Sequence, residues 1–340
     1  MKRLRVLALM HDYMVPPGDV SGSDLATVEW KTEFDVTSTL VDMGHDLRVL
    51  GVKDDLGVIR QTVDEFKPHI AFNLMEAFHE VGAFDMNVVS YLELLRLPYT
   101  GCNPRGMVLS RDKALSKKLM AYHRIPVPEF VVIRRERAIK LPRRLRFPVI
   151  VKSLTQEASI GISQASVVED EAKLRERVQF VHESVGTDAI LERFIDGREL
   201  YVGIIGNERL QGFPVWEMQF SKIPESVHHI ATDRVMWSVK YQKRHGIMTS
   251  AAKNLSEGLA EQIQRVAKRV YRTLEMSGYE RMDVRLEPSG RFYVLEANAN
   301  PQLAFGEDFA ESAERAGLPY EDLLQRILNV GLRWQPERAG

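Results

Sequence analysis

A chain of 340 residues that is 44% apolar and 27% charged has the composition of an ordinary folded protein, and its length calls for two or three cores rather than one. Lys and Arg number 46 against 47 Asp and Glu, a formal net charge of -1, which excludes the global basic field that drives phosphate-backbone binding; nucleic acid is not an expected partner and small molecules are. A single cysteine, Cys102, can form neither an intrachain disulfide nor a thiolate metal cage and points to a reducing cytoplasm.

The start, Lys2-Arg3 followed by Val6 to Met10, imitates a secretory leader, but the apolar run stops at His11-Asp12 with no small-residue cleavage site and reads as a first strand. No window reaches the roughly 20 apolar residues that span a bilayer, so no membrane partner is expected. Short apolar runs then alternate with amphipathic stretches, the rhythm of a parallel sheet with crossover helices. Strands are expected at Arg5-Met10, Asp46-Gly51 and His69-Leu74, with helices at Glu33-Met43, Ile59-Phe66 and Val88-Leu95. The first helix ends at Gly44 and the other two before Pro68 and Pro98.

Pro104 to Gly106 punctuates the chain and sets a boundary near residue 103. A basic helix Ser110-Tyr122, an extended stretch Ile125-Val132, a strand Val149-Lys152, a polar loop to Gly161, a strand Ile162-Val168, a charged helix Glu171-Glu183 and a strand Ala189-Phe194 are expected next. Leu200 to Trp216 alternates as antiparallel strands around Gly206-Asn207. Residues 217–250 read as an irregular polar segment, a length that suits a substrate lid. A long helix Leu255-Glu275, a hairpin Arg281-Leu286 and Arg291-Glu296 turning at Glu287-Pro288-Ser289-Gly290, and a helix pair at 308–316 and 319–332 complete the chain.

The hairpin carries the most informative chemistry. Glu296 and Asn298 lie two apart on a strand and share a face, and Asp283 can face them from the neighbouring strand. Three oxygen donors converging in this way suit Mg²⁺, which takes a few carboxylates and completes its octahedron with phosphates and water. The other reading is an exposed polar strand face.

Arg281-Met282-Asp283 and Leu295-Glu296-Ala297-Asn298 resemble the Mg²⁺ site of the ATP-grasp superfamily, in its D-alanine:D-alanine ligase branch. Four further segments, in the right order, are similar to that branch: Leu97-Pro98-Tyr99-Thr100-Gly101 with Ser110-Arg111-Asp112-Lys113; Phe147 to Lys152; Ser159-Ile160-Gly161-Ile162-Ser163; and Leu191 to Glu199. The resemblance runs from about residue 97 to 332. It implies ATP and Mg²⁺ (or Mn²⁺) as cofactors, with Asp283, Glu296 and Asn298 as metal ligands. Lys113 and Lys152 would meet the nucleotide phosphates as point charges, under a loop whose Ser159 and Gly161 close over them. Glu199 would take the ribose hydroxyls, with Glu192 and the backbone at Ile195 at the adenine. In the lid, Lys240 and Tyr241 would close over the γ-phosphate, and Arg281 would hold the charge-developing centre, unless it is spent on a salt bridge to Asp283 or Glu296.

The substrate ends depart from that branch. Its glutamate after the first strand, in a short Gly-rich loop, has no clean counterpart in the longer loop from His11, neither Glu29 nor Glu33 aligning. Glu76 stands where the branch has a histidine, Ala158 where it has a serine, and Glu307, followed by Asp308, where it has the serine that receives the second D-alanine. Glu307 and Asp308 are either substrate-facing or ordinary acids at a helix start. The expectation is an α/β ATP-grasp fold with an N-terminal open parallel-sheet (Rossmann-like) domain, in units 1–103, 104–188 and 189–332. Its activity is expected to be that of a ligase joining a small-molecule carboxylate and an amine through an acylphosphate, other than D-alanyl-D-alanine. The alternatives are another amino-acid or peptide ligase of the same type and a non-catalytic ATP sensor; a homodimer is left open.

Overall fold

The computed structural model describes residues 3–157, 159–224 and 227–335. At the N-terminus, Arg5–His11 is the middle strand of a three-stranded parallel sheet, flanked by Asp46–Val52 and Ile70–Asn73. Every residue from Val6 to Met10 is fully buried, as a parallel strand covered on both faces requires. The crossover helices are Lys31–Asp42, Gly57–Phe66 and Asp85–Leu94. The basic helix expected at Ser110-Tyr122 is two helices, Pro104–Arg111 and Lys113–Tyr122. Asp112 separates them: its backbone is extended (φ -76°, ψ 101°) and its side chain accepts from the N–H groups of Ala114 and Leu115, so it starts the second helix as its N-cap.

A second sheet of four antiparallel strands runs in the order Phe130–Ile133, Ala189–Arg193, Val149–Ser153, Val167–Val168. Leu174 and Val178 of helix Glu171–Phe180 pack on Val149, Val151 and Leu191 to give this layer its own core. The strand expected at Ile162-Val168 is only Val167–Val168. Ser163 opens a short 3-10 turn over Gln164–Ser166 through reciprocal caps with Ser166, which consumes the backbone groups a longer strand would pair.

The third sheet is antiparallel, in the order Ile247–Ala251, Trp216–Phe220, Arg198–Ile205, Tyr279–Leu286, Phe292–Ala299, with Gln211–Gly212 paired to Arg198–Ile205. Along Tyr279–Leu286 the side chains alternate: Met282 and Val284 pack with Ile263, Val266 and Val270 of helix Leu259–Thr273, leaving Arg281, Asp283 and Arg285 on the other face. The segment 217–250 is more ordered than expected. Trp216 and Met218 alternate into a small core with Tyr201 and Val235, and Thr232 and Ser238 cap helices Asp233–Trp237 and Val239–His245. Helices Asp308–Arg315 and Tyr320–Leu332 lie between the first and third sheets, Phe309 against Phe213 and Tyr279, and Leu323, Leu324 and Ile327 in one cluster with Val6, Ile70 and Phe72. Among the described residues no helix is long and apolar enough to cross a membrane.

Candidate active site

The second and third sheets face each other across a cavity of about 340 Å³. Its floor is the hairpin. The antiparallel register sets Asp283 opposite Glu296 and Arg281 opposite Asn298, and the ladder slips by one residue just after Asp283, a bulge of the kind that re-aims side chains at sites. Arg281 grips Asp283 with two parallel bonds, Nε to Oδ1 at 2.8 Å and Nη2 to Oδ2 at 2.9 Å, and its guanidinium lies 4.5 Å from the centre of the Tyr201 ring. The salt bridge that was the alternative reading of Arg281 is therefore present, without removing the residue from the cavity wall. Burial, opposed by Arg281 and reinforced by Glu296, pushes the Asp283 carboxyl up to about 6. Burial also pushes Glu296 up, but Lys113 at 3.6 Å, with Lys152 and Lys117, outweighs it and holds that carboxyl below its usual value.

Against the hairpin lies a cationic cluster that is almost dry. Lys113 and Lys152 are 6% and 7% exposed, and Lys117 is fully buried. Glu192, also fully buried, lies between two of them, at 2.9 Å from Lys117 and 3.2 Å from Lys152. Burial pushes its carboxyl up, but the two ammoniums win and hold it down at about 2. Glu192 thus works first as the counter-charge of two lysines, where the sequence suggested contact with a base; it does line the cavity, as do Ile195 and Glu199. Glu199 is held by Arg285 at 3.1 Å and by the Tyr201 hydroxyl at 3.1 Å, and Arg285 is fixed in turn by the carbonyls of Gly197 and His229.

The loop after Val149–Ser153 covers one end. Lys113 donates to the Gln156 carbonyl at 2.6 Å, and Arg111 joins Glu157 at 3.0 Å to Asp85 at 2.5 Å. The loop is thereby latched to the N-terminal unit. Ser159 lines the cavity, whereas Gly161 does not and instead offers its carbonyl to Arg177; Ala158 lies outside the described residues. Glu76 also lines this end, and burial raises its carboxyl, with Glu157 adding and Arg111 opposing. Lys240 and Tyr241 are not among the lining residues. The chain breaks helical geometry at Ser238 (φ -107°, ψ 94°); Met236 and Trp237 line the cavity while the Tyr241 ring lies tilted against His245, centroids 4.2 Å apart. Glu307 and Asp308 line a smaller cavity of about 140 Å³ that shares Arg281 with the first.

Sequence reasoning passed over Lys117, Arg285, Arg111 and Tyr201. Lys117 was accessible to it, being four residues after Lys113 and so on the same helical face. Arg285 was accessible too, as the third residue of the alternating row Arg281, Asp283, Arg285.

Two antiparallel sheets clasping a cavity lined by two carboxylates, an amide and two nearly buried lysines have the make-up of an ATP-grasp ligase, a class that forms carbon–nitrogen bonds. The family model described as D-ala D-ala ligase C-terminus matches residues 119–329, more than half of the chain, and the chain belongs to that family. It is 29% identical over 306 residues to the uncharacterized protein y4sG of Sinorhizobium fredii, covering 88% of this chain and 86% of the relative. It is also 29% identical over 301 residues to the D-alanine–D-alanine ligase of Desulforudis audaxviator, covering 87% and 90%. The fold matches the crystal structure of D-alanine–D-alanine ligase from Bacillus anthracis complexed with ATP, with a TM-score of 0.74 at 21% identity over 97% of this chain and 98% of that one.

Proposed function

We propose that this protein is an ATP- and Mg²⁺-dependent ligase that joins a small carboxylate to an amine, and that the pair is not two D-alanines. The observation that carries the reading is the charge layout: Asp283, Glu296 and Asn298 line one cavity together with the nearly buried Lys113 and Lys152, with Lys117 behind them at Glu192, and that cavity has room for a nucleotide's polyphosphate end. The donor set fits Mg²⁺ in kind, two carboxylates and an amide oxygen, with phosphates and water to complete the shell. When bound, the ion would neutralise phosphate charge.

The protein's own part is positioning and charge. Lys113 and Lys152 draw the phosphates in, Glu199 takes the ribose hydroxyls, and Ser159 with its loop covers the phosphates. A carboxylate oxygen of the first substrate attacks the γ-phosphorus, ADP leaves, and an acylphosphate forms. The amine then attacks the acyl carbon, and phosphate departs with the C–O electron pair and the amine's proton. Arg281 stands beside the charge that develops. Water must be kept from the acylphosphate, which is the use of a latched loop. Lys240 and Tyr241 would reach the cavity only if the segment after Ser238 moves inward on nucleotide binding.

The family's D-alanine contacts are altered at Glu76 and Glu307, and a site built on specific hydrogen bonds rejects ligands that leave them unmade, often by factors of about 10⁴. The test is ADP release with a panel of amino acids and amines, with products read by mass spectrometry. Amide formation without D-alanyl-D-alanine is expected; robust D-alanyl-D-alanine synthesis would overturn the substrate reading, and no ADP release with any pair would leave an ATP-binding sensor.

A further inference from the structure

The smaller cavity adjoins the reaction centre from the side away from the lysines, with Arg281 exposed to both spaces. Its walls are of two kinds. Met218, Met236, Met248 and Trp237 give it an apolar lining, adaptable because thioethers fill irregular space. Glu307 and Asp308 give it negative charge. Asp308 has a cationic neighbour, Arg281 at 3.9 Å. Glu307 forms no ion pair among the described residues: it occupies the N-cap of helix Asp308–Arg315 yet its side chain makes no capping bond. Nearby Lys31 is held by Asp35 at 2.8 Å and by the Phe305 carbonyl at 2.6 Å. Burial and Asp308 push the Glu307 carboxyl up, with Lys31 and Arg281 opposing. Among the described residues its carboxylate therefore has no hydrogen-bonded or ion-paired partner.

Resting on the ligase reading, we propose that this cavity is the acceptor pocket and takes a short aliphatic amine that carries a second positive charge and no carboxylate. The reacting nitrogen would sit beside Arg281 and the distal ammonium against Glu307, with the methylene chain on the methionines. A volume of about 140 Å³ suits about six non-hydrogen atoms, since a cavity of about 150 Å³ holds benzene. A four-carbon diamine has that size. An amino-acid acceptor would instead set its carboxylate against Glu307, exposed at the cavity's rim, and the half-buried Asp308, like charge facing like charge.

The test is isothermal titration of the full chain, saturated with ADP and Mg²⁺, with 1,4-diaminobutane, 1-aminobutane and D-alanine. The diamine should bind at least tenfold more tightly than the monoamine, and D-alanine more weakly than either. Glu307→Gln should abolish the diamine's advantage, and Glu307→Asp should restore part of it. Equal affinity for diamine and monoamine in the parent, an undiminished advantage in Glu307→Gln, or tighter binding of D-alanine would overturn the assignment. Binding is read without turnover, so the two readings fail separately. Diamine selectivity with no ADP release from any donor would refute the ligase and keep the pocket, and ADP release with carboxylate-bearing acceptors alone would do the reverse.

Discussion

Replacing Glu192 by glutamine tests the electrostatic core of the site. The carboxylate is fully buried between Lys117, also fully buried, and Lys152, so the substitution keeps shape but turns one acceptor oxygen into an N–H donor facing an ammonium, and leaves two ammoniums in a dry cluster without their counter-charge. A carboxyl held at about 2 instead of 4.5 corresponds to about 3 kcal/mol, at about 1.4 kcal/mol for each tenfold change in proton affinity. That agrees with the roughly 3–5 kcal/mol lost when one partner of a buried ion pair is removed. Denaturant unfolding at pH 7 should show Glu192→Gln less stable by about 3 kcal/mol. Because the folded-state value is depressed, the stabilisation is complete above the ordinary value and is lost as pH falls through about 2, so the stability curves of parent and variant should converge below about pH 4. A nucleotide would bring replacement negative charge, so saturating ATP and Mg²⁺ should narrow the gap. A loss under about 1 kcal/mol at pH 7, or curves that stay parallel down to pH 2, would refute the account of Glu192 as a counter-charge.

Three further outcomes are expected. Glu296→Gln should abolish ADP formation with a near-parental melting curve; it is a cleaner probe than Asp283→Asn, which would also strip Arg281 of its bidentate partner, and ADP release at a parental rate would remove Glu296 from the metal site. Glu33 is 3% exposed, one carboxylate oxygen lacks a partner, and burial pushes it up to about 7. Folding therefore favours its protonated form, so the parent should lose stability as pH rises from about 4.5 through 7 more steeply than Glu33→Gln, which keeps only the slope of the other raised carboxyls such as Asp283; equal pH slopes in thermal melts would show the raised value to be wrong. Arg111→Leu should release the cover loop, read as faster amide exchange across 153–157, because the bridge from Asp85 to Glu157 is lost; unchanged exchange would mean the loop is held by other contacts.

The fold was legible where the chain carries a strong period. The alternation of Tyr279–Leu286 and Phe292–Ala299 set Asp283 and Glu296 face to face before any coordinates, and the first parallel strands were found within a residue or two. What was missed followed from caps and turns. Asp112 and Ser163 each commit backbone groups to a local motif, and a window of apolar periodicity does not register one residue's hydrogen bonds. The segment 217–250 read as irregular because its helices are only five and seven residues long, too short to show a helical period; they persist because Val235 packs with Tyr201, Trp216 and Met218.

The two halves of the site differed in legibility for a physical reason. The charged residues around the larger cavity lie mostly on paired strands or one helix, where spacing alone fixes their face: Lys113 with Lys117, Arg281 with Asp283 and Arg285. The substrate-facing residues follow strand ends and helix starts, and their meeting depends on long-range packing. Glu307 takes its place because Phe309 and Ala313 seat their helix against Phe213 and Tyr279, while Leu323, Leu324 and Ile327 of the next helix pack with the N-terminal sheet. Lys31 then ties the N-terminal unit to Phe305, two residues before Glu307. A charge at position 307 therefore acquires chemical meaning only once the first and third sheets have closed on the helices between them. The two cavities are built largely by different contacts, and they meet at Arg281, with Met236, Trp237, Pro301 and Gln302 also lining both.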